Sequence, residues 1–219
     1  MMILKNYLLK LYRIIYSKFP IKFEYISELE SLLCNCKTIL DVGCGSNSPL
    51  RHFSKQFYSI GVDKFEPWIK KSKEKQIHDK YIQLDVLKIN QEFDENSFDC
   101  VIALDLIEHL TKEEGNLLIK SIEKIAKKKI IIFTTNGFVP QGEYDNNPWD
   151  VHKSGWTVKE MKNKGFKVIG INGWKFLKGE YGLIKFKPRF FWFVIAHLTQ
   201  LFVRNYPDKA FQILCVKEK

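Results

Sequence analysis

Between Lys37 and Thr135 the chain repeats one pattern: a short apolar run, rich in β-branched residues, ends at a turn residue and gives way to a polar stretch. The runs are Thr38 to Val42, Tyr58 to Val62, Tyr81 to Leu84, Phe98 to Leu104 and Ile130 to Thr134. Runs that are continuously apolar suit strands covered on both faces. Their alternation with helical stretches requires crossover connections, which place the strands parallel. The expected fold is α/β, a doubly wound and mostly parallel sheet whose ligands sit beyond the carboxyl ends of the strands. At 219 residues and 45% hydrophobic, the chain can fill one such core, which excludes a disordered or disulfide-built chain.

Outside the repeat, Ile3 to Phe19 has the spacing of an amphipathic basic helix that Pro20 stops, and Glu24 to Leu33 reads as a second, shorter helix. Asn136 to Lys153 is too long for a simple connection and is expected to be a functional loop. Thr157 to Lys164 reads as helix, Phe166 to Ile171 as strand, Lys187 to Arg204 as an aromatic helix entered through Pro188, and Phe211 to Val216 as the closing strand. The expected organisation is a single domain: helical cover over 1–36, core over 37–172, aromatic and basic insertion over 173–210, last strand over 211–217.

The formal charge of +10 is unevenly placed. Residues 1–23 hold five basic and no acidic side chains, residues 175–219 hold nine basic against three acidic, and the middle holds 21 against 22. A near-neutral body with basic flanks favours an acidic partner or surface. Five scattered cysteines, Cys34, Cys36, Cys44, Cys100 and Cys215, read as reduced thiols of a cytoplasmic protein. Lys5, Lys10 and Arg13 interrupt the apolar start and argue against an export signal, and Phe190 to Val203 is too short to span a bilayer.

The segment Asp41-Val42-Gly43-Cys44-Gly45 runs a strand straight into two glycines, so a ligand can approach the backbone where a side chain would collide. Asp63 ends the next run, where a carboxylate accepts both hydroxyls of a ribose; Asp85 ends the third, suited to an adenine amine, with Val86 beside the ring edge. A dinucleotide fold wants a third glycine near position 48, which here is Ser48.

In these four segments, Asp41 to Gly45, Gly61-Val62-Asp63, Leu84-Asp85-Val86 and Phe98 to Ala103, the chain resembles class I S-adenosylmethionine-dependent methyltransferases. The resemblance implies a Rossmann-like sheet of seven strands and S-adenosyl-L-methionine as cofactor. It implies cofactor contacts at Asp41, Gly43, Cys44, Gly45, Asp63, Lys64, Asp85, Val86 and Leu104. Asp105-Leu106-Ile107-Glu108-His109-Leu110 resembles the type 11 group. In some quinone-pathway members an acid-x-x-acid-His run holds a divalent metal, and Asp105, Glu108 and His109 match it. The alternative, adopted here with no metal assigned, is that Glu108 caps the helix entry and His109 packs beneath the cofactor.

Methyl transfer is an in-line displacement, so the protein mainly positions its reactants and excludes water. For a hydroxyl acceptor His109 or His152 is the expected base, backed by Asp105. In the loop Asn136, Gln141, Asp150 and His152 are candidates to orient the acceptor; the alternative is that Trp149 and Trp156 pin the loop and His152 serves as a hydrogen-bonding staple. The expected acceptor is a small molecule or lipid-linked: the aromatic and basic residues from Trp174 to Phe211 suit an acidic, lipid-linked substrate or peripheral contact with an anionic membrane, the alternative being two amphipathic helices that pack on each other or in a dimer. RNA fits less well, because these aromatics fall in a helical run rather than across a sheet face; an RNA or protein methyltransferase and a non-catalytic binding protein are the alternatives.

Overall fold

The computed structural model describes residues 25–53, 56–143, 145–179 and 182–219. The helix expected over Ile3 to Phe19 lies outside them. Seven strands form one sheet: β1 Thr38–Val42, β2 Tyr58–Asp63, β3 Lys80–Gln83, β4 Phe98–Leu104, β5 Ala126–Thr135, β6 Lys167–Trp174 and β7 Ala210–Glu218. Their order is β3-β2-β1-β4-β5-β7-β6, parallel except for β7, which runs antiparallel to both neighbours. This is the doubly wound, mostly parallel, Rossmann-like arrangement expected. All seven residues of β4 are buried, which explains its unbroken apolar run.

The helices are α1 Tyr25–Leu33, α2 Glu66–Glu74, α3 Ile89–Glu92, α4 Lys112–Ile125, α5 Val158–Asn163, α6 Arg189–Leu198 and α7 Gln200–Val203. Strand side chains alternate between two cores. Leu40, Val42, Val101 and Ala103 pack with Leu118 and Ile122 of α4 on one face, while Ile39, Cys100 and Ile102 pack with Leu29 and Leu33 of α1 on the other. Capping boxes start α4 (Thr111 with Glu114) and α5 (Thr157 with Glu160), each satisfying backbone N–H groups that a helix start leaves unpaired.

Three local expectations are corrected. No α-helix follows the glycine loop among the described residues; Pro49–His52 is a short 3₁₀ turn, with Ser48 accepting the Leu50 N–H. β5 begins at Ala126, upstream of Ile130, because Lys127 and Lys128 lie exposed while Lys129 donates to the Leu32 carbonyl. The aromatic helix is two pieces, broken at Thr199. That hydroxyl donates to the Ala196 carbonyl and accepts the Trp174 N–H, and the Gln200 side chain bonds to Gly170 and Gly173, so the break fastens the insertion to β6. No helix among the described residues is long and apolar enough to cross a membrane.

Candidate active site

The glycine turn leaves β1 with Gly43 at φ +70° and Gly45 at φ +57°, and the Gly43 and Cys44 N–H groups both donate to the Val62 carbonyl. A Cβ at Gly43 would stand 2.6 Å from the Leu106 side chain, so position and conformation both demand glycine. Asp41, at the end of β1, accepts the Ser48 hydroxyl at 2.5 Å and lies 2.9 Å from His78 Nε2. Both partners are buried, so Asp41 braces the turn from beneath. Ser48 therefore makes a hydrogen bond that a glycine at this position could not.

Asp63, at the end of β2, is buried. Its Oδ2 accepts the Gly45 N–H at 2.9 Å and its Oδ1 the Phe65 N–H at 2.8 Å. Burial pushes its carboxyl upward, and these N–H groups pull it back in part. Asp85 accepts the Leu87 N–H and pairs with Lys64 at 2.8 Å. Burial would raise that carboxyl too, but Lys64 holds it below the ordinary range. Asp63, Lys64, Asp85 and Val86 line a cavity of about 120 Å³ that Gly43 also borders.

A larger cavity, about 640 Å³, opens on the other side of the turn. Asp41, Gly43, Cys44, Gly45 and Leu104 line it at one end, Asp105, Glu108, His109, Asp150 and His152 in the middle, and Asn172, Lys178, Phe211 and Gln212 at the far end. Gly43, Trp68, Asp105, His109 and Asp150 border both cavities. Every cofactor and catalytic candidate read from the sequence thus lines one of two adjoining spaces at the carboxyl ends of β1, β2, β3 and β4.

The middle of the larger cavity is electrostatically unusual. Asp105 is exposed where it lines the cavity and has packed protein behind it, at φ +49° and accepting from Gln212 at 3.1 Å. Desolvation, reinforced by the charge of Asp150, raises its carboxyl to about 7. Glu108, fully enclosed, accepts the Thr134 hydroxyl at 2.8 Å and is raised to about 8 by burial and then by Asp105. Asp150 is raised to about 6 by desolvation and the charge of Asp63. His109 is driven down to about 4 by burial and by His152, which stands ring to ring with it at 4.8 Å. Its Nε2 lies 3.5 Å from Asp150, and its Nδ1 is buried without a hydrogen-bond partner among the described residues. His152 is also shifted down by burial, and its Nδ1 lies 2.6 Å from the Val139 carbonyl. A carbonyl only accepts, so Nδ1 carries the hydrogen and Nε2 is the basic nitrogen.

Glu108 does not cap α4: Thr111 does, and Glu108 turns to β5. Among the described residues no group of three His, Cys, Asp or Glu side chains is set to hold a metal ion. Asn136 donates to the Pro207 and Ala210 carbonyls and so ties the loop to β7 instead of facing an acceptor. Trp156 pins the loop, buried and donating to the Ile107 carbonyl, whereas Trp149 is half exposed beneath the Lys64 ammonium.

Residues 40–133 match the family model described as a methyltransferase domain, of the type 11 group. An uncharacterized protein of Methanocaldococcus jannaschii is 28% identical over 71% of this chain and 67% of its own length. A small RNA 2′-O-methyltransferase of Tetrahymena thermophila is 23% identical over 69% of this chain, which spans less than half (44%) of that relative. The crystal structure of an S-adenosylmethionine-dependent methyltransferase from Archaeoglobus fulgidus superposes with a TM-score of 0.57 at 19% identity, covering 95% of this chain and 99% of that one. Residues 40–133 are a methyltransferase domain, and the fold around them is that of S-adenosylmethionine-dependent methyltransferases. Sequence reasoning on this methyltransferase missed His78 beneath Asp41, Tyr25 of α1, and Lys178 at the far end of the larger cavity. His78 and Tyr25 sit in no motif. Lys178 is one of several lysines in the insertion, with nothing in the sequence to set it apart.

Proposed function

We propose that this methyltransferase acts on a hydroxyl of a small-molecule or lipid-linked acceptor held in the larger cavity. The observation that carries the reading is the meeting of the two cavities at Gly43, Asp105 and His109, beside the acid and histidine cluster. The residues fit the cofactor. Each Asp63 oxygen accepts one backbone N–H and keeps a lone pair, as two ribose hydroxyls require. Asp85 and Val86 would face the adenine, with Lys64 steadying Asp85. Asp41, Cys44, Gly45 and Leu104 would border the amino-acid end. Carboxyls crowded at this end favour a cationic ligand.

Bound S-adenosylmethionine supplies a methyl group on a positive sulfur, already activated for displacement. The chain's part is to place the acceptor oxygen and take its proton. His152, neutral at pH 7 with Nε2 basic, is the proposed base; Asp105, held near neutrality, and His109 position the acceptor and share the proton. Tritium-labelled methyl transfer to a panel of hydroxyl compounds tests this. In His152→Ala the rate falls 100-fold or more while S-adenosylhomocysteine binds within about threefold of wild type. An unchanged rate contradicts the role.

Peripheral contact with an anionic membrane belongs to the same reading. α6 buries Ala196 alone, leaving Phe191, Phe193 and Leu198 exposed, with Lys187 and Arg189 at its start. Sedimentation with phosphatidylglycerol vesicles but not phosphatidylcholine vesicles is expected. The Tetrahymena relative favours a second reading, in which the hydroxyl belongs to RNA. Saturable RNA binding that weakens steeply with salt, together with RNA methylation, would select it.

A further inference from the structure

A third cavity, about 240 Å³, adjoins the larger one. Asn172 and Lys178 line both, and Tyr25, Ile26, Gly173, Ala196, His197 and Gln200 complete it. Two of its polar groups lack what their burial calls for. The Tyr25 ring stacks on Phe133 at 4.0 Å, and its hydroxyl is buried without a hydrogen-bond partner among the described residues. Lys178 is largely enclosed, with its ammonium 5.3 Å over the Phe211 ring, and no carboxylate pairs with it among the described residues. A cation held out of water without a counter-ion is costly, and an unsatisfied buried hydroxyl adds to that cost.

The larger cavity is therefore polarised along its length. Four carboxyls, Asp41, Asp105, Glu108 and Asp150, line it toward β1 and β4, and the Lys178 ammonium, which no carboxylate pairs with among the described residues, lines it toward β6 and β7. A ligand that spans it gains by bringing its own negative group to Lys178. Burial, with the nearby charges of Asp105, Asp41 and Glu108, keeps Tyr25 protonated, so its hydroxyl is a donor.

We propose that the methyl acceptor carries an anionic group, carboxylate or phosphate, which Lys178 pairs with and the Tyr25 hydroxyl hydrogen-bonds, at the end of the cavity away from the transferred methyl group. The inference rests on the reading of the larger cavity as the acceptor site. It makes Lys178 and Tyr25 specificity residues, and the acceptor a compound with a hydroxyl at one end and an anion at the other.

The test is calorimetry on the full chain saturated with S-adenosylhomocysteine. Three probes share one phenol: 4-hydroxyphenylacetate, 4-hydroxyphenyl phosphate and the neutral 4-hydroxyphenylacetamide. At least one anion should bind at a single site about tenfold or more tighter than the amide, and the tighter of the two identifies the group as carboxylate or phosphate. In Lys178→Met that preference disappears, with the amide changed less than threefold; Lys178→Arg retains most of it, and Tyr25→Phe loses part. Unchanged melting temperature and S-adenosylhomocysteine affinity show that each variant folds. The proposal is overturned if neither anion binds, if neither exceeds the amide, or if the preference survives Lys178→Met. Anion binding that obeys these rules with no methyl transfer to any hydroxyl compound would instead defeat the acceptor reading and leave the anion site in place.

Discussion

The strand-end acids of β1, β2 and β3 and the acid and histidine cluster beyond β4 meet at one glycine turn, yet they are supported differently. Asp41 leans on Ser48 and His78, Asp63 on the Gly45 and Phe65 N–H groups, and Asp85 on Leu87 and Lys64. In the cluster the support is thin: Glu108 has Thr134, Asp105 has Gln212, His109 Nδ1 has no described partner, and the carboxyls of Asp105, Glu108 and Asp150 are raised to about 7, 8 and 6. The first side is preorganised by the protein itself. The second holds groups whose charge state lies within reach of neutral pH, so ligands that enter help to set it.

The largest effect should come from breaking the preorganised side at its tightest point. Gly43→Val forces a side chain into Leu106 at a φ of +70°; binding of S-adenosylhomocysteine by calorimetry should weaken by 100-fold or more, whereas full-strength binding would mean the turn does not carry the cofactor. Next comes His78→Ala, which strips a buried partner from Asp41. Chemical denaturation should show a loss of about 3 kcal/mol, and a loss below 1 kcal/mol would show that Ser48 alone suffices.

Glu108→Gln sharpens the contrast from the other side. Because the folded carboxyl titrates near 8 and the unfolded one near 4.5, the native state keeps its proton while the unfolded chain ionises. Stability contributed by this group is therefore full below about pH 4.5 and lost as pH rises to about 8. Thermal melts should find the variant more stable than wild type by on the order of 2 kcal/mol at pH 9 and level with it at pH 4. A gain independent of pH would deny that Glu108 titrates there. The smallest effect belongs to Lys64→Met: its pair with Asp85 is partly exposed, so folding stability should change by less than about 1 kcal/mol, and a larger loss would show that the pair supports more than the pocket edge.

The same contrast explains what the sequence discloses. The preorganised side is local: each acid follows its own apolar run, so β1, β2 and β4 fall within a residue of the expected limits and Asp63 and Asp85 can be picked out by position. The cluster was legible in its members, since Asp105, Glu108 and His109 fall within five residues and His152 sits in a loop too polar for a connector. Its electrostatics were not, because they depend on Asp150 and His152 folding back over β4. Thr199 splitting the aromatic helix, and Lys178 and Tyr25 meeting at one cavity, arise from packing between α1, β6 and the insertion, which no periodicity encodes.

Titration of the purified chain with S-adenosylhomocysteine, beside Asp63→Ala, tests the central claim most directly. One saturable site in the wild type, weakened 100-fold or more in Asp63→Ala with the melting temperature of the unliganded variant within a few degrees of wild type, is the predicted result. No binding by the wild type, or equal affinity in the variant, would contradict it.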